Sequence, residues 1–90
     1  MTRRILIIVT SNDRMGPSGP ATGLWAEELA VPYMAFVDAG HEVDIASPQG
    51  GPAPIDPGSL KARGENDASV ERWLDDEAAQ RKVQATLRVA

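Results

Sequence analysis

The sequence has 90 residues, 42% of them hydrophobic, with a formal net charge of −4 and a pI near 4.8. A chain of this length allows one small domain at most, and its acidity argues against a nucleic-acid-binding surface. It contains no cysteine and a single histidine, which excludes a disulfide framework, a cysteine zinc site and a thiol nucleophile within these residues.

The first predicted element is a strand over residues 3–10, RRILIIVT. Its centre is continuously apolar and rich in β-branched side chains, a pattern typical of a buried strand in a parallel sheet. The apolar run 5–9 is too short to span a bilayer or to form a signal peptide, so we expect a cytoplasmic protein without membrane contact. Residues 11–23, rich in Ser, Asn, Asp, Gly and Pro, are predicted to form a loop.

Residues 24–39 have the composition of a helix, and Gly40 stands where the glycine after a helix C-terminus belongs. Pro32 falls inside this segment. Because proline has no N–H, the carbonyl of Glu28 loses its intrahelical partner, and we expect a kink or a local loosening there.

Residues 41–47 alternate well enough to predict a second strand, which completes a right-handed βαβ crossover with parallel strands. After a loop dense in proline and glycine, residues 67–74 and 76–87 predict two short helices, the first with Trp73 as a packing residue. The candidate N-caps are Ser69 for the first helix and Asp75 or Asp76 for the second.

The predicted sheet has a face that little covers. The strand over residues 3–10 offers apolar side chains to both sides, and one crossover helix covers only one side. The C-terminal helices have narrow apolar faces and are expected to cover the other side in part. Both outer strand edges are unpaired, which favours association. We therefore expect an incomplete α/β unit that belongs to a longer protein, pairs with a partner such as a second copy, or folds poorly.

Three segments carry a family resemblance: residues 5–11 (ILIIVTS), 22–51 and 54–59 (PIDPGS). Their motif positions are Thr22, Gly23, Trp25, Glu28, Pro32, residues 39–43 and residues 47–51. In this pattern the chain resembles the start of ThiJ/PfpI-superfamily proteins, which are class I glutamine amidotransferase-like, and within them the chaperone and glyoxalase III branch. The resemblance implies that residues 1–90 are a partial ThiJ/PfpI-like domain: the first two strands, first helix, following loop and helices of a flavodoxin-like parallel sheet.

The reactive site of that family joins a glutamate of the first helix to a cysteine on a sharp strand-to-helix turn. The resemblance therefore makes Glu28 the catalytic glutamate, the proton-transfer partner of a cysteine that is absent from this chain. It implies that the full-length parent is a cofactor-independent glyoxalase III, a lyase or hydratase that detoxifies small aldehydes such as methylglyoxal by converting them to hydroxy acids. The isolated chain is then expected to be inactive. A stress-related chaperone or protein-interaction module and an amidase- or protease-like member remain alternatives.

The helix pattern gives a separate expectation for Glu28. Positions 24, 31 and 35 share its face and are apolar, so we expect this carboxyl group to point toward the core, where a charge is costly. Its neighbour Glu27 is expected to face water near the helix N-terminus. Trp25 either lines the mouth of a pocket beside Glu28 or packs in the core.

Two further pairs of residues complete the candidate site. Thr22 and Gly23 are expected to bind substrate at the carboxyl end of the first strand, where open α/β folds place ligands. Asp56 and Ser59 are interpreted as turn residues. No metal or cofactor site is predicted, and the glycines of residues 11–23 match neither a P-loop nor a dinucleotide-binding pattern.

Overall fold

The computed structural model describes residues 2–89 and confirms the α/β class. The elements in chain order are β1 (Arg4–Ile8), α1 (Ala26–Asp38), β2 (Glu42–Ser47), a 3-10 turn (Pro57–Ser59), α2 (Ala68–Asp75), α3 (Glu77–Gln84) and β3 (Leu87–Arg88). The sheet has the order β1-β2-β3, and both neighbouring pairs are parallel. None of the helices between residues 2 and 89 is long and apolar enough to cross a bilayer.

The C-terminal strand β3 corrects the prediction of a helix over residues 76–87. The helix ends at Gln84, and the chain then pairs with β2 and with the turn after it. Thr86 exchanges two backbone hydrogen bonds with Gly51 (2.9 and 3.0 Å), and the Val89 N–H donates to the Ser47 carbonyl (3.0 Å). The free edge of β2 supplies these hydrogen-bond partners. They favour a strand over the weak helical pattern, because β-branched residues prefer strands.

Helix α1 ends as predicted at a left-handed glycine. Gly40 has φ +86°, and its N–H donates to the Val37 carbonyl (2.9 Å) while the His41 N–H donates to the Phe36 carbonyl (3.0 Å). This pair of bonds is a Schellman motif, which satisfies two of the last helical carbonyls. The Nδ1 of His41 accepts from the Arg3 N–H (3.0 Å) and so joins the start of β2 to the start of β1.

The buried stripe of α1 is narrow for a helix so rich in apolar residues. The helix runs uninterrupted through Pro32, so the missing N–H removes one hydrogen bond, at the Glu28 carbonyl, without ending the helix. The buried residues are Ala26, Leu29, Ala30, Tyr33 and Met34. They recur at the three- and four-residue spacing of one helix face and pack toward the sheet.

All three helices lie on one side of the sheet. Their buried side chains form a single core cluster with Val43 and Ile45 of β2, and Trp73 at its centre is fully buried, as predicted. Arg72 of α2 binds both carboxylate oxygens of Asp38 in α1 (2.8 and 2.9 Å). The prediction that the C-terminal helices cover the second face is therefore wrong, because α2 packs on α1 and α3 packs on α2 and β2, on the same side of the sheet as α1.

The second face of the sheet is consequently open. In parallel strands, paired residues point to the same side, and Ile8, Ala46 and Leu87 form one such row across the three strands. Leu6 and Ile8 are 55% and 61% exposed, and Leu87 is 55% exposed. The shortest dimension of the chain, 17 Å, fits one sheet and one helical layer. The expectation of an uncovered apolar face is confirmed.

The two C-terminal helices begin differently. Of the two predicted caps of α3, the structure shows Asp76, since its Oδ1 accepts from the Ala79 N–H (3.0 Å). The cap predicted at Ser69 is wrong, because α2 begins one residue before it and Ser69 lies within the helix. Hydrogen bonds from Asn66 and Arg63 to the carboxylate of Glu71 lower the pKa of that group to about 2. Glu71 thus orders the loop that leads into α2.

Candidate functional site

Two distant segments of the sequence meet at the start of α1. Leu24 forms a parallel bridge with Ile55: the Leu24 N–H donates to the Pro54 carbonyl, and the Asp56 N–H donates to the Leu24 carbonyl, both at 2.9 Å. A Cβ atom at Gly23 would lie 2.3 Å from the Pro54 carbonyl. The close approach of these two segments therefore requires glycine at position 23.

Asp56 and Ser59 hold this junction together. Both oxygens of Asp56 are used: Oδ2 accepts from the Thr22 hydroxyl (2.8 Å) and Oδ1 from the Gly58 N–H (2.8 Å). The Ser59 hydroxyl donates to the Asp56 carbonyl (2.6 Å) and accepts from the Ala26 N–H (3.0 Å). They are turn residues, as interpreted, but sequence reasoning missed their bonds to residues 22–26. The only available signal was that both segments carry short polar residues within the family motifs.

A small pocket lies beside this junction, at the carboxyl end of β1 and the start of α1. Its volume is about 170 Å³. The lining residues are Ile7, Ile8, Val9, Leu24, Trp25, Glu28 and Leu29. All of these side chains except Glu28 are hydrophobic, so one carboxyl group stands at the edge of an otherwise apolar hollow. The position agrees with the general rule that open α/β sheets bind ligands at strand carboxyl ends.

The structure corrects the predicted orientation of Glu28. This residue is exposed and lies outside the buried stripe of α1. Val31, on the same side of the helix, is 46% exposed. The prediction failed because α1 carries apolar residues on both sides, and the helix pattern alone does not say which side meets the sheet.

Trp25 and Glu28 are brought together, whereas Thr22 and Gly23 are placed elsewhere. Trp25 is 46% exposed and lines the pocket, so of its two alternatives the structure shows the pocket and not the core. The Thr22 hydroxyl is committed to Asp56, and Gly23 packs on Pro54. Thr22 and Gly23 thus hold the junction of the two segments and do not line the pocket.

The acidic side chains near the pocket lie at the start of α1. Glu27 and Glu28 both lie in the first turn of α1, where the helix dipole favours negative side chains. Within residues 2–89, the four ion pairs involve other carboxylates. In the same part of the chain no group of three His, Asp or Glu side chains is placed to hold a metal ion.

Two buried hydroxyl groups join the end of β2 to the start of β3. The Ser47 and Thr86 oxygens lie 2.6 Å apart, and the Thr86 hydroxyl also contacts the Gly51 carbonyl at 2.6 Å. Because the Thr86 hydroxyl has one proton and donates it to Gly51, the Ser47 hydroxyl donates to Thr86. This pair ties the turn after β2 to β3. Sequence reasoning assigned it no role.

A second hollow lies on the outer surface of α2 and α3. Its volume is about 300 Å³, larger than the pocket beside β1. Its lining comprises Leu74, Glu77, Gln80, Arg81 and Gln84. The Gln80 amide already donates to the Trp73 carbonyl (2.8 Å). Because this hollow is open and lies away from the strand ends, we regard the smaller pocket as the candidate site.

Two solved structures are similar to this chain. The crystallographic structure of the protein designated APC35852 is 37% identical with a TM-score of 0.74, and the match covers 100% of this chain and 36% of that one. The X-ray structure of Rapid Encystment Protein 24 KDa (REP24) from Francisella tularensis is 34% identical with a TM-score of 0.81, and the match covers 96% and 37%. The chain therefore spans little more than a third of the length of each. No protein-family model and no curated protein matches it.

Proposed function

We propose that this chain is the N-terminal part of a ThiJ/PfpI-like protein and that Glu28 is the carboxyl component of its reactive site. The observation that carries the proposal is the position of Glu28 beside Trp25, at the edge of an apolar pocket at a strand carboxyl end. The segments that build this pocket are the same segments that carry the family resemblance. That both solved neighbours are longer proteins supports a longer parent.

The parent is a cofactor-independent glyoxalase III in this proposal. A thiolate attacks the aldehyde carbon of methylglyoxal to give a hemithioacetal, a proton moves from that carbon to the neighbouring one, and water hydrolyses the resulting thioester to lactate. The atoms balance, because methylglyoxal plus water has the composition of lactic acid and hydrolysis of the thioester returns the thiol. Glu28 carries protons between carbon and oxygen in this scheme. The thiol comes from another part of the parent, since this chain contains no cysteine.

The dimensions of the pocket suit a small substrate. An apolar cavity of about 150 Å³ is enough for a benzene molecule. The pocket here, at about 170 Å³, accommodates a three-carbon aldehyde. We place the parent in the cytoplasm, where such aldehydes arise.

The test uses the purified chain and a carbonyl compound that reacts with lysine and arginine far more slowly than methylglyoxal does. Hydroxyacetone is titrated while NMR follows the Trp25 indole N–H and the Glu28 carboxyl carbon. We expect saturable shifts at both residues. Glu28→Gln should weaken binding about fivefold, as expected for the loss of one hydrogen bond of about 1 kcal/mol, whereas Glu27→Gln on the neighbouring exposed residue should not.

A second assay tests the chemistry. Methylglyoxal mixed with the purified chain should yield no lactate above background, because the chain has no thiol. Lactate formation at an enzymatic rate would contradict the cysteine-based mechanism. Equal hydroxyacetone affinity in the wild type and in Glu28→Gln would contradict the assignment of the site. Sequencing the DNA after the Ala90 codon gives an independent check, since the proposal requires a cysteine on a strand-to-helix turn there.

The open sheet face favours a second candidate function, a stress-related interaction module that binds itself or unfolded proteins. Leu6, Ile8 and Leu87 are exposed apolar side chains on this one face, and monomeric proteins ordinarily cover such a surface. We expect concentration-dependent self-association in analytical ultracentrifugation and suppressed aggregation of a heat-denatured client. The double substitution Leu6→Ser and Ile8→Ser should abolish both effects, whereas Val31→Ser, at a helix position that is 46% exposed, should preserve them.

A further inference from the structure

We infer that the turn formed by residues 56–59 is a positioning element for Glu28 and that Ser59 is its principal residue. The inference rests on the proposed function of Glu28, which it deepens by adding residues that do not line the pocket. Ser59 and Asp56 are positioning residues, because they act on Glu28 through the start of α1 and do not contact the ligand space themselves.

The first observation is a cap supplied from outside the helix. The N-cap position of α1 is Trp25, whose side chain has no acceptor oxygen. Ser59, 33 residues after Ala26, supplies the missing oxygen and accepts the Ala26 N–H at 3.0 Å. Its own proton is directed to the Asp56 carbonyl at 2.6 Å, so the hydroxyl orientation is fixed.

The second observation is that the same turn holds the residues on both sides of this cap. The Asp56 carboxylate binds the Thr22 hydroxyl at 2.8 Å, which anchors the chain that enters α1. The Trp25 ring lies against Gly58, since a Cβ atom there would be 4.0 Å from its Cη2 and Cζ3 atoms. One turn therefore fixes the segment that leads into α1, the Trp25 ring beside the pocket and the first N–H of the helix.

The third observation concerns the helix position of Glu28. With Trp25 as N-cap, Glu28 is the third helical residue, so its side chain projects from the first turn of α1. Because Ser59 accepts the Ala26 N–H, it fixes this first turn beside the pocket. Removal of the Ser59 hydroxyl would leave that N–H without its partner, loosen the first turn and displace the carboxylate from the ligand space.

This reasoning predicts that Ser59→Ala reproduces the effect of Glu28→Gln although Glu28 is intact. In the hydroxyacetone titration, Ser59→Ala should weaken binding about fivefold, and the double variant Ser59→Ala with Glu28→Gln should bind no more weakly than Glu28→Gln alone. Ser59→Thr, which keeps the hydroxyl, should stay within about twofold of the wild type. Ser18→Ala, in an exposed loop, is the matched control.

A readout without ligand separates this inference from the proposed function. The Glu28 carboxyl carbon and the Ala26 amide should both shift in Ser59→Ala and return to their wild-type positions in Ser59→Thr. If the Glu28 signal does not move in Ser59→Ala, the inference is overturned, whatever hydroxyacetone does. If it moves while wild type and Glu28→Gln bind hydroxyacetone equally, the positioning role stands and the proposed function fails.

Two outcomes of the binding series also overturn the inference. One is wild-type affinity in Ser59→Ala, and the other is a double variant whose loss is the product of the two single losses, as expected for general destabilisation. Should Ser59→Ala fail to fold, Thr22→Val tests the same turn, because it removes the hydroxyl that binds Asp56 and keeps the side-chain shape. It should shift the Glu28 signal in the same direction by a smaller amount.

Discussion

The two faces of the sheet have opposite surroundings. On the covered face, Val43 and Ile45 are 1% and 2% exposed, whereas on the open face Leu6 and Ile8 are 55% and 61% exposed. Full burial of an aliphatic side chain of this size contributes about 1.5–3 kcal/mol, so the open face withholds several kcal/mol of stabilisation. The comparison teaches that an apolar strand sequence indicates that the strand can be buried, but it does not indicate which of its two faces is buried.

The largest expected effect is at the centre of the covered side. Trp73 is fully buried, and Trp73→Ala should reduce the free energy of unfolding by about 3–5 kcal/mol, measured by urea denaturation. Trp25→Ala is the control at a half-exposed tryptophan and should cost clearly less. Equal losses for the two tryptophans would contradict the placement of the core.

The next effect compares the two faces with one type of substitution. Ile45→Ala creates a cavity between sheet and helices and should cost about 2–5 kcal/mol. Ile8→Ala, on the open face of the adjacent strand, should cost less than about 1 kcal/mol, because the side chain stays largely in water. A large loss at Ile8 would instead show that this face is covered in solution, for example by a second copy.

A smaller effect is expected at the edge of β2 that the short β3 leaves unpaired. The Lys82 ammonium donates to the Val43 carbonyl (2.6 Å), which points to the edge that the short β3 leaves unpaired. Lys82→Met keeps the aliphatic stem and should cost about 1–2 kcal/mol because this acceptor loses its partner. Arg81→Met on the exposed side of α3 should be nearly neutral. An equal cost at both positions would refute the role of Lys82 at the edge.

The smallest effect is the pH dependence of the loop before α2. The pKa of Glu71 is lowered to about 2 in the folded state, from an ordinary value of 4.5. Its contribution to stability is therefore complete above about pH 4.5 and is lost as the pH falls toward about 2. The difference in Tm between the wild type and Glu71→Gln should shrink over that interval. Glu65→Gln, nearby and exposed, should show no such interval; a constant difference for Glu71→Gln would refute the assignment.

Local sequence patterns were enough to predict the features that depend on residues close together in the chain. The parallel βαβ unit follows from two apolar strands around a helix, and the left-handed Gly40 follows from the need to end that helix. The cap at Asp76 and the buried Trp73 follow from the same kind of short-range pattern. An uncovered sheet face was also predictable, since one crossover helix covers one side.

Tertiary structure alone decided the rest, because each remaining feature depends on contacts between distant residues. Strand β3 exists because β2 offers a free edge, and the exposed position of Glu28 follows from which side of α1 meets the sheet. Ser59 caps a helix that starts 33 residues earlier, a contact that no local periodicity encodes. The amino-acid sequence thus determined an α/β unit with an unsatisfied apolar face, and the tertiary structure determined where its carboxyl group and pocket lie.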